Sequence, residues 1–242
     1  MKAAGMTDKG LVRDNNEDAY ALYNEAVGAL PNLYVVADGM GGHQCGEVAS
    51  SKAIEYFLSF IKENDQTDIM DTITEGVRNA NRQVHEMSKS DPSYYGMGTT
   101  FTACVVKDGR GYTAHVGDSR LYLIRKGELH LITTDHTYVN EMVKAGQITK
   151  EEAKVHPSRN ALTKALGVDS YIEIDGYIFD ICDKDKILMC SDGLTNMVSE
   201  SDILKIADSD SDLVDCARKL IEAANENGGI DNITVILAET GR

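Results

Sequence analysis

Tyr34–Glu47 reads "YVVADGMGGHQCGE". A short apolar run ends at Asp38, the glycines Gly39, Gly41, Gly42 and Gly46 follow with His43 among them, and a helical pattern starts near Gly46. The run before the aspartate is apolar throughout, as a strand covered on both faces should be. Three readings are open for the loop: a cradle for a nucleotide phosphate, a metal site, or a turn between strand and helix. The first fails. No Lys-Ser/Thr end follows, and the glycines do not have the G-x-G-x-x-G spacing.

Working outward, strands are expected at about 33–37, 99–106, 111–116, 120–125, 128–133, 174–181, 186–190 and 233–238. Long helices are expected at about 46–62, 68–88 and 211–226. The first carries Ala49, Ala53, Phe57, Leu58 and Ile61 on one face, and the second Ile69, Ile73, Val77, Ala80, Val84 and Met87. The third carries Leu213, Val214, Ala217, Leu220, Ile221 and Ala224. This order suggests a β-sandwich covered by helices. Residues 137–166 are more polar. They predict one short helix ending at Gly146 and another opening at Thr149, with Glu152 in a capping box and Pro157 as the stop. That excursion is either a surface insertion or a lid over a site.

The junction at Asp38 has counterparts. Asp118 follows "AHVG", Asp192 follows "ILMCS", and Asp231 precedes "NITVIL". If the last strand runs antiparallel to those before Asp38 and Asp192, these three carboxylates meet at one sheet edge. Any one of them reads as a turn residue. Four of them tied to strand ends read as a site for a hard divalent cation, because crowded carboxylates raise one another's pKa and oxygen donors select Mg2+ or Mn2+. "RDNNED" (13–18) adds Glu17 and Asp18 beside Arg13. Arg13 is either a phosphate clamp or half of a surface ion pair.

The 242 residues carry a formal net charge of −15, which repels nucleic acid and suits a protein that gathers carboxylates around cations. The five cysteines form no C-x-x-C, and Cys104, Cys182 and Cys190 sit in apolar runs, so a reducing cytoplasm is expected. With neither an apolar signal core nor a run approaching the ~20 apolar residues of a membrane span, a soluble protein of one domain is expected over residues 1–242. "DSDSDL" (208–213) fails as a calcium loop, since Leu213 and Lys219 occupy its glycine and glutamate positions; it reads as a helix N-terminus. His85 and His115 read as structural or exposed, and no zinc or nucleophile-elbow pattern occurs.

Taken together, "RDNNEDA" (13–19), "VADGMGGHQCGEVAS" (36–50), "MGTTFT" (97–102), "HVGDSRLYLIR" (115–125), "TTDHTYV" (133–139), "HPSRNALTKALG" (156–167), "CSDGLTNMV" (190–198) and "DNITVIL" (231–237) resemble the metal-dependent serine/threonine protein phosphatases of type 2C, in their bacterial form. The resemblance implies an α+β fold: a four-layer α-β-β-α sandwich of two antiparallel sheets flanked by helices, with a helical flap at about 137–166. It implies hydrolysis of phosphoserine and phosphothreonine by direct attack of a metal-bridging hydroxide, with two Mn2+ or Mg2+ ions and a third, weaker one. Carried over by position, Asp38 bridges both metals, Asp192 and Asp231 complete the first, and Glu17 with the Gly39 carbonyl serves the second. Asp18 orients ligands or bound waters. Asp118 joins Asp192 at the third ion, and Arg13 holds the substrate phosphate. Met40 stands where animal and plant relatives often have a histidine, which leaves the proton donor between His43 and a metal-bound water. The expected partners are phosphoserine/phosphothreonine proteins, including a serine/threonine kinase, acted on by a monomer. The rival readings are a catalytically silent phosphoprotein-binding module on the same fold and a small-molecule phosphomonoesterase.

Overall fold

The computed structural model describes residues 1–41 and 45–240. The chain opens with β1 (Lys2–Asp8), β2 (Asp18–Tyr23) and β3 (Leu33–Met40), then α1 (Cys45–Glu63) and α2 (Ile69–Ser90). After a single 3-10 turn at Pro92–Tyr94 come β4 (Gly98–Thr99), β5 (Phe101–Lys107), β6 (Arg110–Val116), β7 (Arg120–Arg125) and β8 (Glu128–Leu131). Two short helices, α3 (Tyr138–Lys144) and α4 (Lys150–Val155), precede β9 (Asp175–Asp180) and β10 (Lys186–Cys190). The chain ends with α5 (Asp192–Thr195), α6 (Glu200–Ala207), α7 (Leu213–Glu226) and β11 (Ile233–Glu239).

The strands form two antiparallel sheets. One has the order β1-β11-β10-β7-β8; the other has β2-β3-β5-β6-β9, with β4 paired to β3. The two-residue period of a strand sorts the core. Along β3, Leu33, Val35 and Ala37 pack with α1 and α2, while Tyr34 and Val36 point between the sheets. Along β10, Ile187 and Met189 point between the sheets, and Leu188 and Cys190 pack with α6 and α7. The result is the expected helix-sheet-sheet-helix stack. Asp38 continues the row of Tyr34 and Val36, so its carboxylate emerges at the mouth of the cleft between the sheets.

Four expectations are corrected. Asp38 does not share a sheet with Asp192 and Asp231. β10 and β11 are antiparallel, as the reading required, but β3 lies in the opposite sheet, and the carboxylates meet across the sandwich. β1 and β2 were not foreseen: β1 holds no continuous apolar run, and Gly5 lies under the ring of Tyr20 on β2. Val214 is 59% exposed and not on the buried face of α7. Cys182 is exposed, whereas Cys104 and Cys190 are buried as small hydrophobes.

The excursion at 137–166 folds as predicted locally. Thr149 and Glu152 close a capping box on α4, and Gly146 follows α3 with φ +69. The chain leaves and returns side by side, with Tyr138 N–H on Ala161 O (2.8 Å) and Thr163 N–H on His136 O (2.8 Å). Asp212 caps α7, which absorbs the acidic run before it. Among the described residues no helix is long and apolar enough to cross a membrane.

The packing predicts two unequal truncations on one helix. Leu220→Ala, at a fully buried position on α7, should cost about 3 kcal/mol in urea unfolding. Val214→Ala should stay within about 0.5 kcal/mol. Similar losses at the two positions would contradict the assigned face.

Candidate active site

Register brings the first two carboxylates together. Asp18 on β2 stands directly opposite Asp38 on β3, and opposed residues of an antiparallel pair project to the same face. Ser191, at the end of β10, donates Oγ–H to Asp18 Oδ2 (2.7 Å) across the sandwich. Asp192 follows at once as the first residue of α5, with Asn196 Nδ2 on its Oδ2 (2.9 Å). Asp231, just before β11, accepts from Arg13 Nη2 on Oδ2 (2.7 Å) and from Asn232 N–H on Oδ1 (2.9 Å).

Asp118 enters through the turn after β6. Thr100 ties that turn to Asp38: its Oγ1 accepts from Asp38 N–H (2.9 Å) and lies 2.7 Å from Ser119 Oγ. Glu17 reaches the same cleft from the loop before β2. Gly39 N–H donates to Glu17 O (3.1 Å), and Ser50 Oγ–H on α1 donates to the same carbonyl (2.6 Å). The approach is close enough to require glycine, because a Cβ on Gly39 would lie 2.1 Å from Gly46 O. His43 lies outside the described residues.

The electrostatics follow from crowding in a desolvated cleft. Burial pushes Asp18 up to about 7, with Asp192 and Asp231 adding to the shift. Burial and the neighbouring Asp231 push Asp192 up to about 6. Asp38 is held well above the carboxylate range by burial and then by Asp18, Asp192, Asp118 and Asp231. Asp118 is raised by burial and by Asp192 and Asp135, against Arg120. Glu17 is raised by burial, against Arg13. Two carboxylate oxygens of this site are buried without a hydrogen-bond partner, Glu17 Oε1 and Asp18 Oδ1.

This donor set fits hard divalent cations. It is all oxygen, it carries more negative charge than its arginines offset, and it has acceptors to spare. Among the described residues no three His, Cys, Asp or Glu side chains stand as a finished metal cage. They line a cleft instead, with Arg13 and Asn196 each holding one carboxylate oxygen. Asp118 and Asp192 also line a cavity of about 1060 Å3, whose lining includes Val143, Lys150 and Lys154 from the excursion and Val198 and Glu200 from the segment after Asp192.

Residues 12–237 match the family model described as Protein phosphatase 2C. The chain belongs to the protein phosphatase 2C family. It is 39% identical over 241 residues to the protein phosphatase PhpP of Streptococcus pneumoniae, covering 98% of this chain and 96% of that relative. The structure of a serine/threonine phosphatase from S. agalactiae matches with a TM-score of 0.92 at 39% identity, over 99% of each chain. The catalytic domain of the phosphatase PstP, solved in complex with two manganese ions, matches with a TM-score of 0.85 at 37% identity, over 98% of this chain and 97% of that one. The 2C phosphatases are metal-dependent enzymes, and the chain is a protein phosphatase of that class.

Two residues of this 2C site escaped the sequence reading. Ser191 orients Asp18. Asn232 is 4% exposed and links three segments: Nδ2 donates to Lys9 O (2.8 Å) and Asn15 O (2.8 Å), and Oδ1 accepts from Glu17 N–H (2.8 Å). It thereby fixes the loop that carries Arg13 and Glu17. The available signal was a polar residue beside each aspartate, inside "CSDG" and "DNIT".

A pH measurement tests the electrostatics. Asp18 binds its proton more tightly in the folded chain than in the unfolded one, so folding is favoured below the unfolded value and loses this contribution as pH rises through about 7. In chelator-stripped protein, wild type should therefore lose thermal stability relative to Asp18→Asn between about pH 4 and about pH 7. Parallel curves for the two proteins would refute the shift.

Proposed function

We propose that this enzyme hydrolyses phosphoserine and phosphothreonine in cytoplasmic phosphoproteins at the Asp38 cleft, using two Mn2+ or Mg2+ ions. The observation that carries this reading is the convergence of Asp38, Asp192 and Asp231 from two sheets, with Arg13 at their rim. When bound, two divalent cations would lower the pKa of a shared water toward neutrality and offset charge on the transferring phosphoryl group.

The chain's own residues supply position and charge. Asp38, at the centre of the cleft, would be a ligand of both ions. Asp192 and Asp231 would serve one ion; Glu17 and the Gly39 carbonyl would serve the other. Asp18 stands opposite Asp38 and accepts from Ser191, so it would orient the ligands. Arg13 is half-exposed on a fixed loop, and its planar fork suits two phosphate oxygens. Its present partner, Asp231, is a proposed metal ligand, so phosphate and metal would both act on the same ion pair. A third, weaker ion would be held by Asp118 with Asp192. The leaving alkoxide takes its proton from His43 or from water in the cleft. The cavity reaching from Asp118 to the excursion gives room for polypeptide beside the phosphorylated residue, which favours a protein over a small phosphomonoester. A serine/threonine kinase among the substrates, and action as a monomer, complete the reading.

Phosphate release from a phosphothreonine peptide tests it. Turnover should need added Mn2+ and stop with chelator. Arg13→Ala should raise KM about tenfold, the loss of one charge-assisted hydrogen bond of ~1.5 kcal/mol. Turnover that persists in chelator would overturn the metal mechanism. Lost kcat at unchanged KM would displace Arg13 from the phosphate.

A further inference from the structure

His136 belongs to "TTDHTYV" (133–139), and nothing in the mechanism above uses it. It is 2% exposed. Its backbone N–H donates to Gly117 O (2.8 Å), and its ring Nδ1 accepts from Gly117 N–H (3.0 Å). One residue thus holds both backbone groups of the residue preceding Asp118. An acceptor at Nδ1 requires the ring proton on Nε2. Nε2 lies 3.2 Å from Asp175 Oδ2, off the ideal hydrogen-bond line. Asp175 is held in turn by Tyr177 O–H (3.2 Å) and Lys164. Burial pushes the His136 pKa down, which favours this neutral form. The ring also packs at a tilt against buried His115, with centroids 5.0 Å apart.

The turn that His136 holds cannot be rebuilt freely. Gly117 has φ +106, and a Cβ there would lie 2.6 Å from Thr100 Cβ. This is the same Thr100 that accepts from Asp38 N–H. The next residue after His136, Thr137, caps α3, so the base of the excursion and the Asp118 turn share one anchor.

We propose that His136 is a positioning residue whose Nδ1 lone pair, set by Asp175, fixes the Asp118 carboxylate for the weaker third cation and ties that site to the base of the flap. The proposal rests on the reading of Asp118 as a ligand. Groups that orient metal ligands contribute about 10–100-fold to metal affinity.

Two substitutions separate this role from packing. Asn places its amide oxygen near the Nδ1 position, whereas Gln reaches toward Nε2 and leaves Gly117 N–H without an acceptor. Each variant of the full chain, stripped with chelator, is titrated calorimetrically with Mn2+. His136→Gln should weaken the weakest site at least about tenfold, while His136→Asn stays within about threefold of wild type. Asp175→Ala, at a partly exposed residue, frees the tautomer and should weaken the same site; it serves if the ring variants fail to fold. Equal weakening in the Gln and Asn variants, or no change in Gln or in Asp175→Ala, would overturn the proposal. Asp118→Asn titrating like wild type would overturn it differently, by showing that Asp118 is no ligand.

Discussion

Asp18 and Asp38 face each other across paired strands, and two desolvated carboxylates at that spacing cannot both ionise without compensation. Asp192, Asp231 and Asp118 add to the same problem. Folding could have avoided it by placing serines or threonines at these strand ends. The architecture instead drives five aspartates into one cleft and offers them few cations of its own. Divalent cations answer that constraint, and the metal dependence of the 2C phosphatases follows from it.

The frame that enforces the crowding is built from ordinary packing. The two-residue period along β3 turns Asp38 inward because Tyr34 and Val36 are inward. Neutral hydrogen bonds then set three of these residues: Thr100 accepts from the Asp38 backbone N–H, Ser191 donates to the Asp18 carboxylate, and Asn232 accepts from the Glu17 backbone N–H. Small, uncharged partners suit this work. A cation at any of those positions would offset the negative charge that binds metal.

Much of this was legible in the sequence. The apolar runs, the helical faces of α1 and α2, the Thr149 capping box and the aspartates at strand ends all follow from local pattern, and the motif order pointed to the family. Sheet membership did not follow. A two-residue period says that a strand has two faces but not which sheet it joins, so Asp38 was expected beside Asp192 rather than across from it. β1 was hidden because its stability comes from a partner far along the chain: it pairs with β11, and its Gly5 is covered by Tyr20 of β2. Ser191 and Asn232 were missed for a related reason. A polar residue reveals its task only when the segments it joins, such as Lys9, Asn15 and Glu17, are seen together.

The central claim is that Asp38 is shared by two cations. Anomalous diffraction at the manganese edge from Mn2+-soaked crystals tests it most directly. The account predicts two strong peaks about 3.5–4 Å apart, both within bonding distance of Asp38, one reaching Asp192 and Asp231 and the other Glu17. A single peak, or peaks that leave Asp38 uncoordinated, would contradict it.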